Sequence, residues 1–139
     1  MIEVGKIIAL DIGNVRIGVA ISDPTGTLAS PKDSIRRHDG IAMILKLIDT
    51  ENISLILIGM PYLPSGAAGT QAQHTVQFID SLSEKTEISI KIVDERMSTI
   101  EAKKKLSEST RSKRYIQKNK GLIDSAAAAV ILQSYLDSI

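Results

Sequence analysis

The sequence of 139 residues contains no cysteine and no tryptophan. The absence of cysteine excludes disulfides, thiolate metal sites and cysteine nucleophiles, and is compatible with a reducing compartment. Aromatic residues are scarce: Tyr62, Phe78, Tyr115 and Tyr135 make up 3% of the chain. That argues against binding single strands through stacked bases, which needs aromatic platforms. No apolar run approaches the ~18 residues of a membrane span. The opening stretch MIEVGKIIALDIG lacks the basic n-region of a secretion signal. These absences predict a soluble, cytoplasmic protein with no membrane partner. What is present is globular in kind, 43% hydrophobic and 24% charged, which excludes wholesale disorder. The length suits one domain, taken as residues 1–139, since a domain averages about 150 residues.

A net charge of +1 conceals a strong asymmetry. Residues 96–120 hold nine Lys or Arg against Glu101 and Glu108, an excess of +7 that leaves −6 on the remainder. Such a segment is an electrostatic footprint for a polyanion, although charge runs are more often solvated faces.

Hydrophobic patterning orders the chain. Residues 6–11 (KIIALD) form a nearly continuous apolar run, as expected of a strand buried on both faces. Gly13-Asn14 is a turn signal before a second strand at 15–22 (VRIGVAIS), so the two should form an antiparallel hairpin. A third strand at 27–35 is weakened by Pro31. Ile41, Ile44, Leu45 and Ile48 recur at helical spacing, with Asp39 as candidate N-cap. Residues 53–60 (ISLILIGM) read as another buried strand and 61–69 as a Gly/Pro loop. Thr70 and Gln73 suggest a capping box for a helix burying Ala72, Val76, Ile79 and Leu82. A fifth strand at 88–93 ends in Asp94-Glu95-Arg96. Ser98 and Glu101 suggest a capping box for a helix through Leu106, and Asp124 falls in the first turn of a final alanine-rich helix. The order β-β-β-α-β-α-β-α-α predicts an α/β fold with a mixed five-stranded sheet and flanking helices.

Asp11 ends the first strand and Glu95 the fifth, and ligands of such sheets sit outside the carboxyl ends of parallel strands. With Asp124 packed over the same edge, three acids would form a dense negative site that calls for a cation. Oxygen ligands without His or Cys suit Mg²⁺ or Mn²⁺, and two such ions can serve phosphodiester hydrolysis. Each acid also has an ordinary reading as a turn anchor, an ion-pair partner or a helix-dipole acid.

The blocks DIGNVRIGVAISD (11–23), IGMPYLPSG (58–66), VDERMST (93–99) and IDSAAAAVILQSYL (123–136) resemble the YqgF/RuvX family. This is a group of small bacterial proteins named as Holliday-junction resolvases or pre-16S rRNA nucleases. The resemblance runs through the whole chain in order. It implies a ribonuclease-H-like fold, a metal-dependent nuclease, and an acidic catalytic and metal site at Asp11, Glu95 and Asp124. The opening block departs from the common D-x-G-T-K-x-x-G-V-A, with Asn14 and Val15 at the Thr-Lys positions.

Arg16 and Arg96 could each grip a phosphate bidentately. Lys113, Arg114, Lys118 and Lys120 would hold the nucleic-acid backbone through contacts blind to sequence. His38 and His74 are read as surface residues. The expected partner is structured pre-rRNA or branched DNA, and a junction resolvase would need two sites, hence a homodimer. Two alternatives are a non-catalytic RNA-binding module and a nucleotide-binding domain of the actin and hexokinase kind. The latter requires a second domain that 139 residues do not supply.

Overall fold

The computed structural model describes residues 5–95 and 125–139. Its strands are β1 (Lys6–Ile12), β2 (Arg16–Ser22), β3 (Ala29–Arg36), β4 (Ile53–Met60) and β5 (Ser89–Asp94). They form one sheet in the order β3-β2-β1-β4-β5. β1 is antiparallel to β2 and parallel to β4, which is parallel to β5. The hairpin followed by parallel crossovers makes the sheet mixed, as the element order predicts. The helices are α1 (Gly40–Thr50), α2 (Thr70–Ser83) and α3 (Ala126–Ser138), with a single 3₁₀ turn at Arg37–Asp39 before α1. None of the described helices is long and apolar enough to cross a membrane. The proposed helix at 98–106 lies outside the described residues.

The central strands β1 and β4 are covered on both faces, which is why they read as unbroken apolar runs. One face carries Ile8, Leu10, Ile17, Val19, Ile56 and Ile58 against Ile44 of α1 and Phe78 and Leu82 of α2. The other carries Ala9, Ala20, Ala29 and Leu57 against Ala128, Ala129, Leu132 and Leu136 of α3. Small residues on both sides of this second interface let α3 lie close to the sheet. Pro31 is accommodated because β3 is an edge strand.

Two long-range clamps seat α3. The Ser125 hydroxyl accepts a hydrogen bond from Val19 N at 2.9 Å, where the β2–β3 register shifts between Ile17 and Val19. The buried Gln133 accepts from Ala29 N and donates to Thr27 O, each at 3.0 Å. Buried polar groups so paired fix the helix rather than destabilise it.

Asp39 is the N-cap residue of α1, as expected, without a side-chain capping hydrogen bond. Three expectations are corrected. The N-cap of α2 is Gly69, and Thr70 is helical, so no Thr70–Gln73 capping box forms. The buried face of α2 is Ala72, Thr75, Phe78 and Leu82, whereas Val76 is 43% exposed. Thr75 tolerates burial because its hydroxyl donates to Gln71 O within the same helix. α3 begins at Ala126, so its first turn starts after Asp124, which lies outside the described residues.

Candidate active site

The parallel strands β1, β4 and β5 carry their C-terminal ends to one edge of the sheet. Asp11 sits near the end of β1 and Glu95 directly follows β5. Both are half-buried. Glycines flank Asp11 on the neighbouring strands. Its partner on β2 is Gly18, and on β4 the pairing of Leu10 with Ile58 puts Gly59 next in register.

Gly59 explains how two carboxylates from strands on either side of β4 can meet. A Cβ placed on Gly59 would lie 2.8 Å from Glu95 Cγ and 3.0 Å from Glu95 Oε1, with Ile131 Cδ1 of α3 at 2.6 Å. The Glu95 side chain therefore occupies the space a larger residue would fill, and its carboxyl is hydrogen-bonded to that of Asp11. Burial pushes the Glu95 carboxyl up to about 8, reinforced by the hydrogen bond to Asp11 and the negative charges of Asp11 and Asp94. A protonated Glu95 thus donates to Asp11, and the pair carries one charge where a cation would favour two.

The donor set fits a hard divalent ion: two carboxylates at hydrogen-bonding separation, with no sulfur or imidazole. Among the described residues no group of three acidic or histidine side chains is placed to hold a metal. Asp124, the third acid expected of the site, lies outside them. So do Arg96, Lys113, Arg114, Lys118 and Lys120.

Arg16 does reach the site. Asp11, Gly13, Val15, Arg16 and Gly18 line an open hollow of about 340 Å³. The β1–β2 turn holds this wall, with Gly13 N donating to Arg16 O at 2.9 Å. A Cβ on Gly13 would stand 2.5 Å from that oxygen, so only glycine fits. Arg37 braces the turn, its Nη1 donating to Gly13 O at 3.0 Å while its guanidinium lies 5.0 Å from the Phe78 ring centre.

Sequence reasoning did not single out Gly59, Ser125 or Arg37. Their roles depend on contacts between distant segments, although glycine within the otherwise apolar run 53–60 is a local sign of close approach.

A mixed sheet in the order β3-β2-β1-β4-β5 with helices on both faces is the ribonuclease-H-like fold. Thermus thermophilus RuvC, solved with a Holliday junction substrate, aligns at a TM-score of 0.61. The alignment spans 97% of this chain and 95% of that one at 10% identity. Fowlpox virus resolvase, solved with substrate Holliday junction DNA, aligns at 0.62 over 96% and 97% at 16% identity. The chain belongs to the RuvX family, whose model, described as Holliday junction resolvase, matches residues 5–138. A curated relative from Roseiflexus sp., named "Putative pre-16S rRNA nuclease", is 40% identical over 139 residues, covering 98% of this chain and 96% of its own. One of the same name from Halothermothrix orenii is 41% identical over 135 residues, covering 95% and 94%.

Proposed function

We propose that residues 1–139 work as one divalent-metal-dependent nuclease domain that hydrolyses phosphodiester bonds of structured RNA in the cytoplasm. Its substrate on this reading is the 5′ end of pre-16S rRNA, and its process ribosome biogenesis. The observation that carries the chemistry is the hydrogen-bonded Asp11–Glu95 pair beside the Arg16 hollow. The curated relatives' names support the substrate.

Asp11 and Glu95 would hold Mg²⁺ or Mn²⁺, two ions in all, with Asp124 as the third acid. In support of Asp124, the residue that follows it is pinned by its hydroxyl to Val19 N, one position along β2 from Gly18, the partner of Asp11. When bound, such ions supply activation of water and charge stabilisation at the leaving oxygen. Arg16 and Arg96 would grip the phosphate and orient it toward the carboxylates, a task suited to a planar guanidinium. Lys113, Arg114, Lys118 and Lys120 would dock the flanking backbone.

The family description favours a second reading, resolution of four-way DNA junctions. It requires two active sites and hence a homodimer.

The test incubates wild type, Asp11→Asn and Asp124→Asn with Mg²⁺ or Mn²⁺. The substrates are labelled single-stranded RNA, a structured pre-rRNA fragment and a four-way DNA junction. Preferred cleavage of the pre-rRNA fragment, lost in both variants and in EDTA, is the expected result. Preferred cleavage of the junction selects the second reading. Binding without cleavage of any substrate overturns both and leaves a non-catalytic RNA-binding module.

A further inference from the structure

The Asp11 hollow does not end at Arg16. Val15, 74% exposed, also lines a neighbouring hollow of about 510 Å³ with Asn14, Arg36, Arg37 and His38. Arg37 and His38 in turn line a third, of about 350 Å³, that runs over Phe78 of α2. The first and second share Val15, and the second and third share Arg37 and His38, so the three adjoin one another as a trough that bends around the β1–β2 turn and the end of β3. No described carboxylate lines the second or third hollow. Asp39, next along the chain, lines none of the three.

Arg36, Arg37 and His38 form no ion pair with an acid among the described residues, where Lys6 and Glu51 do pair. Arg16 and Arg36 are direct cross-strand partners on β2 and β3, which brings two guanidinium side chains to the same face at this end of the sheet. Arg37 is held in place, its backbone N donating to Val15 O at 2.8 Å and its guanidinium seated on Phe78 and Gly13 O. A guanidinium fixed in this way loses little freedom on binding. Phe78 is only 5% exposed beneath it, so the trough offers no ring for a base to stack on. It offers charge and hydrogen-bond donors, the chemistry of a backbone reader.

We propose that Arg36, Arg37 and His38 form a second phosphate-docking track, continuous with the Asp11 hollow, that holds the backbone of the structured RNA substrate beyond the cleavage point. This rests on the nuclease reading above. It is carried by residues separate from the basic stretch 96–120. The contacts are blind to sequence.

The test measures binding of a labelled structured pre-rRNA fragment, with a four-way DNA junction and phosphatidylserine vesicles as parallel arms, in EDTA across a salt series. It compares wild type, Arg36→Gln/His38→Gln and Arg36→Lys. Both substituted residues are exposed, and thermal melts confirm folding. If the double variant melts early, Arg36→Gln alone carries the comparison. The double variant is expected to bind roughly threefold to tenfold more weakly at low salt. Its slope of log K against log salt should be shallower by about 0.7–0.9 for each phosphate it no longer neutralises. Arg36→Lys should keep the wild-type slope. An unchanged slope in the double variant, with wild type binding RNA, overturns the track and leaves the nuclease reading intact. Wild type that neither binds nor cleaves RNA overturns the nuclease reading itself. A slope change confined to a four-way DNA junction, or to phosphatidylserine vesicles, assigns the surface to that partner and overturns the RNA track.

Discussion

Asp11 and Glu95 come from strands separated by β4, and their carboxyl groups meet because Gly59 leaves the space between them open. The cost of that meeting is visible in the raised proton affinity of Glu95, which burial and the Asp11 charge push up to about 8 from a reference of 4.5. Within that window the folded metal-free protein holds a proton that the unfolded chain has released. Stability is therefore full below about 4.5 and falls as pH rises toward about 8. Thermal melts in EDTA across this range should show the decline, and Glu95→Gln should flatten it. Added Mn²⁺ should restore stability most at the alkaline end, where the carboxylate is easiest to ionise. Gly59→Ala tests the geometry. Its new methyl group meets Ile131 and Glu95, so it should destabilise by about 1–3 kcal/mol through overpacking. It should also raise the metal concentration needed for half-maximal cleavage. Adding Ile131→Val, which removes the Cδ1 that the new methyl meets, should recover part of the stability but leave the metal requirement shifted, because the contact with Glu95 remains.

At the scale of elements, strands were legible where burial on both faces wrote itself as a continuous apolar run, as in residues 6–12 and 53–60. The hairpin was legible from its turn residues. The face of α2 was not. Val76 and Thr75 both fit a helical spacing that includes Ala72 and Leu82, and apolarity alone favours Val76. In the fold Thr75 is buried with its hydroxyl satisfied, and Phe78 packs under Arg37 and against Gly40, while Val76 faces outward. Urea melts should separate the two faces. Phe78→Ala should cost about 3–5 kcal/mol, and Val76→Glu should fall within about 0.5 kcal/mol of wild type. While Asp124 lies outside the described residues, the places of Asp11 and Glu95 at strand ends were legible from the apolar runs they close. Gly59 and Ser125 were not, since each acts on a residue at least 36 positions away.

At the scale of the molecule, the charge layout sets two demands against each other. The chain gathers an excess of +7 in residues 96–120 and spreads −6 over the rest, and part of that negative charge sits at the Asp11–Glu95 edge, where the proposed reading brings the substrate phosphate. Without metal, Asp11 repels the phosphate while the arginines of the trough attract the flanking backbone. Removing the carboxylate charge should therefore tighten binding even as it abolishes cleavage. A unit charge about 5 Å from a phosphate contributes about 0.8 kcal/mol in water, roughly fourfold in Kd. In EDTA at low salt, Asp11→Asn should bind the pre-rRNA fragment more tightly than wild type by about that factor, and the difference should vanish near 1 M salt, where the Debye length is about 3 Å. Anisotropy titrations at both salt concentrations would check it. Equal affinity at low salt would place the bound strand away from the carboxylates, and the shared Asp11–Arg16 hollow would then not be where the phosphate binds.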